Sequence, residues 1–357
     1  MPTDDSTDRT TFTPEELLAN GAYEAPLVAG GVLCHGGFDA DGRYRSPRTL
    51  HRAPAIEAWQ RALAEAGDDL LSVDSALMPP QYPNVEQAIL LCREGVNEPI
   101  VRALTIISVV EGFGAIIRDV KVPDLSEHLV EPIKGTALAH LGHGLFEAHA
   151  RDEAGYRDQG GHKQMWEAAR DLAFENPKIP PDVLMRLMGG GRKRPKRERP
   201  FPRIDESLER MLVTMANVLI VEIFAADIFE WGKRILAHPD VSAEPERAPQ
   251  MVSHIQLDEK PHVEYLRAGL SEVAARTIRT VDGGTIAGRD VVHGLLHGML
   301  RQTIRTRPEE QRAEARESLR EALAGAKHRD DLVEEFESLE TVWTPPAKTG
   351  FEPVEAR

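Results

Sequence analysis

The chain has little of several things that define common protein classes. It contains two cysteines, Cys34 and Cys92, in 357 residues. Two cysteines cannot form a disulfide framework, so a reducing compartment is expected. The first thirteen residues are polar and acidic, and no uncharged apolar run approaches the roughly 18 residues of a membrane span. The sequence therefore predicts a cytoplasmic protein without a membrane partner.

Positive charge and aromatic side chains are also scarce. The formal net charge is −15, which argues against nucleic acid as a partner because phosphate backbones bind basic surfaces. Aromatic residues make up 5% of the chain, and alternating apolar and polar runs bounded by turns are rare. The apolar share of 41% and the charged share of 28% are ordinary for a globular protein. The predicted fold class is all-α.

Long apolar and amphipathic runs are what the chain does have. Four of them predict long helices, which are helix A (97–120), helix B (129–154), helix C (204–236) and helix D (251–279). Together they define a predicted four-helix unit over residues 97–279, with a long insertion at about 155–203. Within that insertion, Gly- and Pro-rich loops flank predicted helices at 162–174 and 181–188.

The predicted unit is flanked on both sides. Residues 1–96 are expected to form a disordered tail, a loop-rich arm and short helices near 53–66 and 84–94. Additional C-terminal helices are expected over residues 280–340, followed by a tail at 341–357. The sequence thus predicts one helical body with flanking extensions.

Helices A and C share the pattern V-E-x-F-x-A, at Val110–Ala115 and at Val221–Ala226. The glutamates of the two segments, Glu111 and Glu222, are flanked by apolar residues. A carboxylate buried without a partner costs several kcal/mol, so such a residue is usually paired or bound to a metal. The alternative is a neutral or salt-bridged glutamate in the core.

A second glutamate follows each of these at nearly the same distance. Glu147 in helix B lies 36 residues after Glu111, and Glu259 in helix D lies 37 residues after Glu222. This spacing suggests a duplicated α-hairpin whose four helices bring four carboxylates into one core. Hard oxygen ligands suit Fe or Mn, and imidazole can complete each coordination sphere.

The segment Asp258–His262 carries the most informative ligand pattern. Glu259 and His262 are one helical turn apart and share a face. Helix bundles with a dinuclear site use this Glu-x-x-His unit. Pro261 lies inside the unit and lacks a backbone donor, so helix D is expected to start or bend near Asp258.

These residues together resemble the ferritin-like diiron-carboxylate superfamily, whose members supply Glu, Glu-x-x-His, Glu and Glu-x-x-His from four antiparallel helices. The resemblance covers about residues 97–279. It implies a ferritin-like four-helix bundle. The residues that match its ligands are Glu111, Glu147, Glu222, Glu259 and His262. For Asp258 it implies a hydrogen bond that fixes the tautomer of a metal-bound histidine.

Helix B departs from the family pattern, because the residue three after Glu147 is Ala150. His143 precedes Glu147 by four residues and shares its face in a regular helix. His149 follows by two residues and would need a π-bulge to reach the site. Both histidines remain candidates, as does a metal without a histidine ligand.

A second resemblance is weaker. His254, Asp258 and His262 form a single stripe at i, i+4 and i+8, similar to the ligand helix of the haem-oxygenase-like diiron oxidases. That family also expects a histidine seven residues after an earlier glutamate. The residue seven after Glu111 is Arg118, so this part of the pattern is missing.

The first resemblance implies an O2-dependent non-haem oxygenase or oxidase that hydroxylates or oxidises a small organic substrate. It implies two Fe per chain, with Mn as the alternative metal, and catalysis by Glu111, Glu147, Glu222 and Glu259. Expected partners are the substrate, O2, an electron-donor protein and a second copy of the chain. The alternatives are iron handling or peroxide scavenging at the same site, or a metal-free helical binding protein.

Overall fold

The structure is a computed structural model that describes residues 9–179, 198–305, 307–323, 329–344 and 346–352. This part of the chain is mostly helical, which fits the predicted all-α class. Its α-helices are α1 (Pro14–Leu17), α2 (Arg52–Glu65), α3 (Val85–Arg93), α4 (Glu98–Gly114), α5 (Leu125–His128), α6 (Phe146–Ala154), α7 (His162–Phe174), α8 (Glu206–Leu236), α9 (Arg247–Ala274), α10 (Gly288–Arg305), α11 (Arg307–Ala322) and α12 (Arg329–Ser338). The helix predicted at 181–188 lies outside the described residues.

Two small antiparallel sheets accompany the helices. The first has the order β1-β2-β3, with strands β1 (Ala25–Ala29), β2 (Val32–Phe38) and β3 (Tyr44–Arg45). The second is a hairpin of β4 (Thr277–Arg279) and β5 (Thr285–Ala287). The first sheet occupies the segment for which the sequence predicted only a loop-rich arm. Its strands are two to seven residues long, too short for a clear alternating pattern.

The longest helix, α8, runs through the middle of the core. Asp205 caps its start by accepting hydrogen bonds from the backbone N–H groups of Ser207 and Leu208. Lys233 and Arg234 in its last turn complement the helix dipole. Leu212 and Leu219 pack in one apolar cluster and Phe229 in a second, so α8 joins the two.

The helices around α8 also pack against one another. α9 packs along α8 and along α7, and α4 packs on α7 and α6. α9 passes through Pro261 without ending. The backbone acceptor that Pro261 leaves unsatisfied belongs to Leu257, one turn earlier, which is 55% exposed and so close to water. The helix that the sequence predicted as helix D begins at Arg247, eleven residues before Asp258, and so does not start near Asp258.

Only the last third of predicted helix B is α-helical. The chain forms a 3-10 turn at Ala137–His140 and a π turn at Leu141–Leu145 before α6 begins. Gly144 in the π turn has φ +136°, a conformation that side-chain-bearing residues rarely adopt. This break rotates α6 relative to the helix that the sequence predicted.

Two segments are long and apolar enough to cross a membrane by length and composition, Glu98–Asp119 and Glu206–Leu236. The core helix of a soluble protein meets the same criterion, and 56% of the most apolar part of the second segment is buried. In the first segment, Val110, Phe113 and Ile116 form an exposed apolar face of α4 and the 3-10 turn after it.

Candidate metal centre

Five helices bring acidic and imidazole side chains to one buried place. We call this set the cluster. Its members are Glu111 from α4, His149 and Glu153 from α6, His162 from α7, Glu222 from α8, and Glu259 and His262 from α9. The side chains of the three histidines are fully buried, and that of Glu111 is only 10% exposed.

Glu153 lies at the centre of the cluster. Its Oε1 is 3.2 Å from Nδ1 of His262, 3.3 Å from Nδ1 of His162 and 3.6 Å from Nε2 of His149. A single carboxylate oxygen therefore faces one nitrogen of each histidine. No other cluster carboxylate within the described residues comes that close to all three rings.

The other carboxylates surround this centre. Glu259 has its Oε1 2.8 Å from His162 Nδ1 and its Oε2 2.7 Å from His262 Nδ1. Glu222 Oε1 is 3.1 Å from His149 Nε2, and Glu111 Oε2 is 3.8 Å from His162 Nδ1. Each carboxylate thus faces at least one imidazole nitrogen.

The ligand atoms fall into two overlapping groups, within each of which all atoms lie within 4.8 Å of one another. The first consists of His149, Glu153, Glu222 and His262, and the second of Glu153, His162, Glu259 and His262. Buried nitrogen and carboxylate ligands at this separation could hold a metal ion.

The ring nitrogen that faces away from the cluster is hydrogen-bonded in His262 and His149, whereas in His162 it faces a carboxylate without forming a hydrogen bond. His262 Nε2 lies 2.9 Å from Asp152 Oδ2, and His162 Nε2 lies 3.5 Å from Asp258 Oδ2. His149 Nδ1 lies 3.1 Å from the hydroxyl of Tyr265. Metal-binding histidines in proteins are commonly oriented in this way, because the outer partner fixes the ring and its tautomer.

The two supporting aspartates have partners of their own. Asp152 forms buried ion pairs with Arg48 and with Arg52, the latter at 2.7 Å. These guanidinium groups help to hold the pKa of Asp152 well below its usual range, against the opposing effect of burial. Asp258 accepts hydrogen bonds from Tyr44 at 2.8 Å and from His35 at 2.9 Å.

Burial and neighbouring charges shift the pKa values of several carboxyl and imidazole groups in the cluster. Burial and the repulsion of neighbouring carboxylates raise the pKa of Glu111 and of Glu222 well above the usual value. Burial, the largest single effect, lowers the pKa of His162 and His262, yet the combined attraction of Glu259, Glu153 and the neighbouring aspartates outweighs it and raises the pKa of both rings. Both kinds of shift favour added positive charge in the cluster.

Several of the cluster's polar atoms have no hydrogen-bonding partner within the described residues. They are His149 Nε2, Glu153 Oε1, His162 Nδ1, His162 Nε2 and Glu259 Oε1. Buried polar atoms without partners cost about 1–3 kcal/mol each. All except His162 Nε2 face the interior of the cluster, where a cation would satisfy them together. The residues therefore fit a metal site.

The structure brings together most of the residues that the sequence proposed as ligands. Glu111, His149, Glu222, Glu259 and His262 all lie in the cluster. The π turn ends at Leu145, before Glu147, so both residues lie in the regular helix α6. In that helix His149 faces the cluster and Glu147 does not.

Three proposed ligands lie elsewhere. Glu147 is 30% exposed and pairs with Arg151 at 2.6 Å, and His143 is an exposed residue of the π turn. The ring of His254 stacks on Tyr44 with centroids 4.2 Å apart. Asp258, the proposed supporting residue, lies with its Oδ2 3.5 Å from Nε2 of His162 in the cluster.

Glu153, His162 and Asp152 were missed by the sequence argument. His149 and Glu153 are spaced i, i+4, which would have placed them on one face. The turn between α6 and α7 contains Gly155 at φ +81° and brings His162 back to Glu153. Helical spacing relates residues only within one continuous helix, so it could not connect His162 with Glu153.

Gly114 explains how Glu153 reaches the centre. A Cβ atom at position 114 would lie 2.6 Å from Cγ of Glu153, a distance at which carbon atoms clash. The glycine of the first V-E-x-F-x-A segment therefore makes room for the carboxylate. The equivalent residue of the second segment is Ala225.

Comparisons with protein-family models, with curated proteins and with solved structures find no match to this chain.

Proposed function

We propose that the cluster binds two divalent metal ions, and that the protein is an O2-dependent oxidoreductase of the non-haem diiron type acting on a small organic substrate. Iron is the proposed metal, and manganese is the alternative. The observation that carries this proposal is the charge of the buried groups. The four glutamates and three histidines of the cluster supply the ligands.

Six carboxylates lie in the cluster or directly behind it. They are Glu111, Asp152, Glu153, Glu222, Asp258 and Glu259. Among the described residues, the permanently charged cations in contact with them are Arg48 and Arg52. With neutral histidines and all six carboxylates ionised, which is the state that metal binding requires, the group carries four negative charges in excess. In the metal-free protein, protons on Glu111, Glu222, His162 and His262, whose pKa values are raised, would offset part of this charge. Buried charge of that size is not tolerated without compensation, and two divalent cations would neutralise it.

The overlap of the two ligand groups supports two ions rather than one. His149 and Glu222 belong only to the first group, whereas His162 and Glu259 belong only to the second. Glu153 and His262 belong to both groups. Glu153 has two carboxylate oxygens and could help to hold both ions, whereas His262 offers only Nδ1 to the cluster and could hold one of them. Mixed imidazole and carboxylate ligands suit Fe and Mn better than soft metals, which prefer thiolates.

The metals would supply O2 activation, and the protein's own residues would prepare the site for it. Asp152, Asp258 and Tyr265 hold the three imidazoles in orientation. The histidine side chains are closed to water, and the exposed parts of the cluster are on its glutamates, at 10% for Glu111, 7% for Glu222, 6% for Glu259 and 3% for Glu153. A small substrate would therefore approach from the side on which α4 presents Glu111, the most exposed of the four.

The proposed set of ligands is a modified form of the ferritin-like ligand pattern. α4, α8 and α9 would supply the first glutamate, the third glutamate and the final Glu-x-x-His of that pattern. The first Glu-x-x-His, which the pattern places on helix B, would be replaced by His149 and Glu153 on α6 together with His162 on α7. The proposed centre thus has three histidines where the family pattern has two.

The test is metal content after anaerobic loading with Fe(II) and removal of unbound ions. We expect about two Fe per chain, and less than half of that in Glu222→Gln. Glu230→Gln is the matched control, because Glu230 lies on the same helix, is 56% exposed and pairs with Lys233. Absence of bound metal in the unmodified protein would reject the proposal and leave a helical binding protein with internally paired carboxylates.

Oxygen uptake by the loaded protein separates the remaining alternatives. An oxygenase consumes O2 in proportion to product when its organic substrate is supplied with an electron donor. Iron handling predicts release of Fe(III) without any organic substrate, and peroxide scavenging predicts faster turnover with H2O2 than with O2.

A further inference from the structure

We propose that the N-terminal sheet, together with the segment to Arg48, is a structural part of the metal centre and that His35 and Arg48 are its positioning residues. This segment, residues 25–48, would set the metal affinity of a site whose ligands all lie on helices. The inference rests on the proposed dimetal function and adds a determinant of metal binding to it.

The backbone of β2 is hydrogen-bonded to the turn that joins two ligands. Gly160 lies between Glu153 at the end of α6 and His162 at the start of α7. Its N–H donates to the carbonyl of Leu33 at 2.8 Å, and its carbonyl accepts from the N–H of His35 at 2.9 Å. The sheet thus fixes the turn that brings Glu153 and His162 together.

The side chain of His35 connects this strand to Asp258. Arg48 Nη2 lies 3.2 Å from His35 Nδ1, and because arginine only donates, this nitrogen must be the acceptor. The proton of the neutral ring is therefore on Nε2, which donates to Asp258 Oδ2 at 2.9 Å. Tyr44 donates to the same oxygen. Two residues of the sheet thus hold the carboxylate that supports His162.

Arg48 connects the same network to the other histidine. Its Nε donates to Asp152 Oδ1 at 2.6 Å, and Asp152 Oδ2 lies 2.9 Å from His262 Nε2. A buried chain of hydrogen bonds therefore runs from Asp258 through His35, Arg48 and Asp152 to His262, and Asp258 faces His162 at 3.5 Å. The side chain of Arg48 is 4% exposed and that of His35 is 2% exposed.

The tautomer of His35 also decides its own role. His35, His162 and Asp258 lie close enough to form a third ligand group. Both nitrogens of His35 are engaged, however, one by the guanidinium of Arg48 and one by its own proton. His35 therefore acts on Asp258 rather than on a metal. Loss of such outer partners typically weakens metal binding by about 10–100-fold.

Cobalt(II) binding to the full-length protein tests the inference, measured by calorimetry and by the visible absorption of the bound ion. We expect His35→Ala to weaken binding by about 10–100-fold, at least at the position that contains His162. His35→Gln keeps an N–H donor for Asp258 and should recover most of the affinity. His143→Ala removes an exposed histidine outside the network and should bind as the unmodified protein does.

Amide hydrogen exchange of the unmodified protein provides a second readout that needs no substitution. Cobalt(II) should slow exchange at the amides of His35 and Gly160, because metal binding and docking of the sheet stabilise each other. Unchanged exchange there, or unchanged cobalt affinity in a folded His35→Ala, would overturn the inference. If the unmodified protein binds no cobalt at all, the dimetal proposal itself has failed, so the two failures are distinguishable.

Discussion

Two parts of the chain bring side chains to the candidate metal centre by different backbone routes. In the second half, α8 and α9 are two long helices of 31 and 28 residues that present Glu222, Glu259 and His262 directly. In the first half, α4 is followed by 3-10 and π turns, a nine-residue α6 and a tight turn into α7. Carboxylate and imidazole groups are thus supplied both by one regular hairpin and by one interrupted chain.

The difference lies in where each half obtains its rigidity. α9 is held in place by burial along most of its length. The ligand-bearing part of the first half is short and depends on contacts from outside it. β2 pairs with the turn at Gly160, and Glu272 of α9 accepts hydrogen bonds from the N–H groups of Ala137 and Leu138 at the start of the interrupted segment. We therefore expect the first half to be the more sensitive to substitution.

Glu153→Gln should have the largest effect, since Glu153 faces all three histidines. The loss of a central ligand should weaken metal binding by more than the roughly 100-fold that an outer partner can cost. Glu147→Gln, six residues earlier on the same helix and 30% exposed, should bind metal normally. Metal titrations of both variants make the comparison. Equal loss in the two variants would contradict the placement of Glu153 at the centre.

Glu272 joins the two halves and predicts a dependence of stability on pH. Burial raises its pKa from 4.5 to about 7, against the effect of the hydrogen bonds from Ala137 and Leu138. A raised carboxyl pKa means that the folded state holds the proton more tightly. This stabilisation is complete below pH 4.5 and is lost as the pH rises through about 7. The loss should reach up to about 3 kcal/mol, at ~1.4 kcal/mol per pKa unit.

Urea unfolding of the metal-free protein at pH 5 and pH 8.5 measures this effect. Glu272→Gln cannot titrate, so the stability of the unmodified protein relative to the variant should fall between the two pH values. Parallel pH dependence of the two proteins would show that Glu272 is not the responsible group.

Gly114→Ala should destabilise the first half by about 1–3 kcal/mol, because the added methyl group overpacks against Glu153. Metal affinity should fall at the same time. Gly298→Ala is the control, since Gly298 is an exposed helical residue and a Cβ atom there has no neighbour within 4 Å among the described residues. That change should stabilise the protein by about 0.5–1 kcal/mol. Thermal unfolding of both variants reads out the difference. Stabilisation by both would disprove the close approach of Glu153 to α4.

His254→Ala should have the smallest effect. It removes the stacking on Tyr44, at a cost of roughly 0.5–1.5 kcal/mol of stability, and should leave two metals per chain. The haem-oxygenase-like alternative instead makes His254 a ligand. Metal content near one per chain in this variant would favour that alternative over the proposed set.

Local sequence patterns were sufficient for much of the helical framework. The bounds of α7 and α8 follow from periodicity and capping residues such as Asp205. The burial of Glu111 and Glu222 follows from their apolar flanks, and the pairing of Glu259 with His262 follows from helical spacing. These features depend on residues within a few turns of each other, which is why the sequence could determine them.

The tertiary structure decided which residues of the interrupted half face inward. The matching spacings of 36 and 37 residues pointed to Glu147, but the π turn with Gly144 rotates α6 and turns Glu153 inward instead. His162 joins the cluster through a tight turn. His35 of β2 and Arg48, which follows the sheet, support the cluster from more than 100 residues before α9. Such contacts depend on the packing of distant segments, and no local period in the chain encodes them.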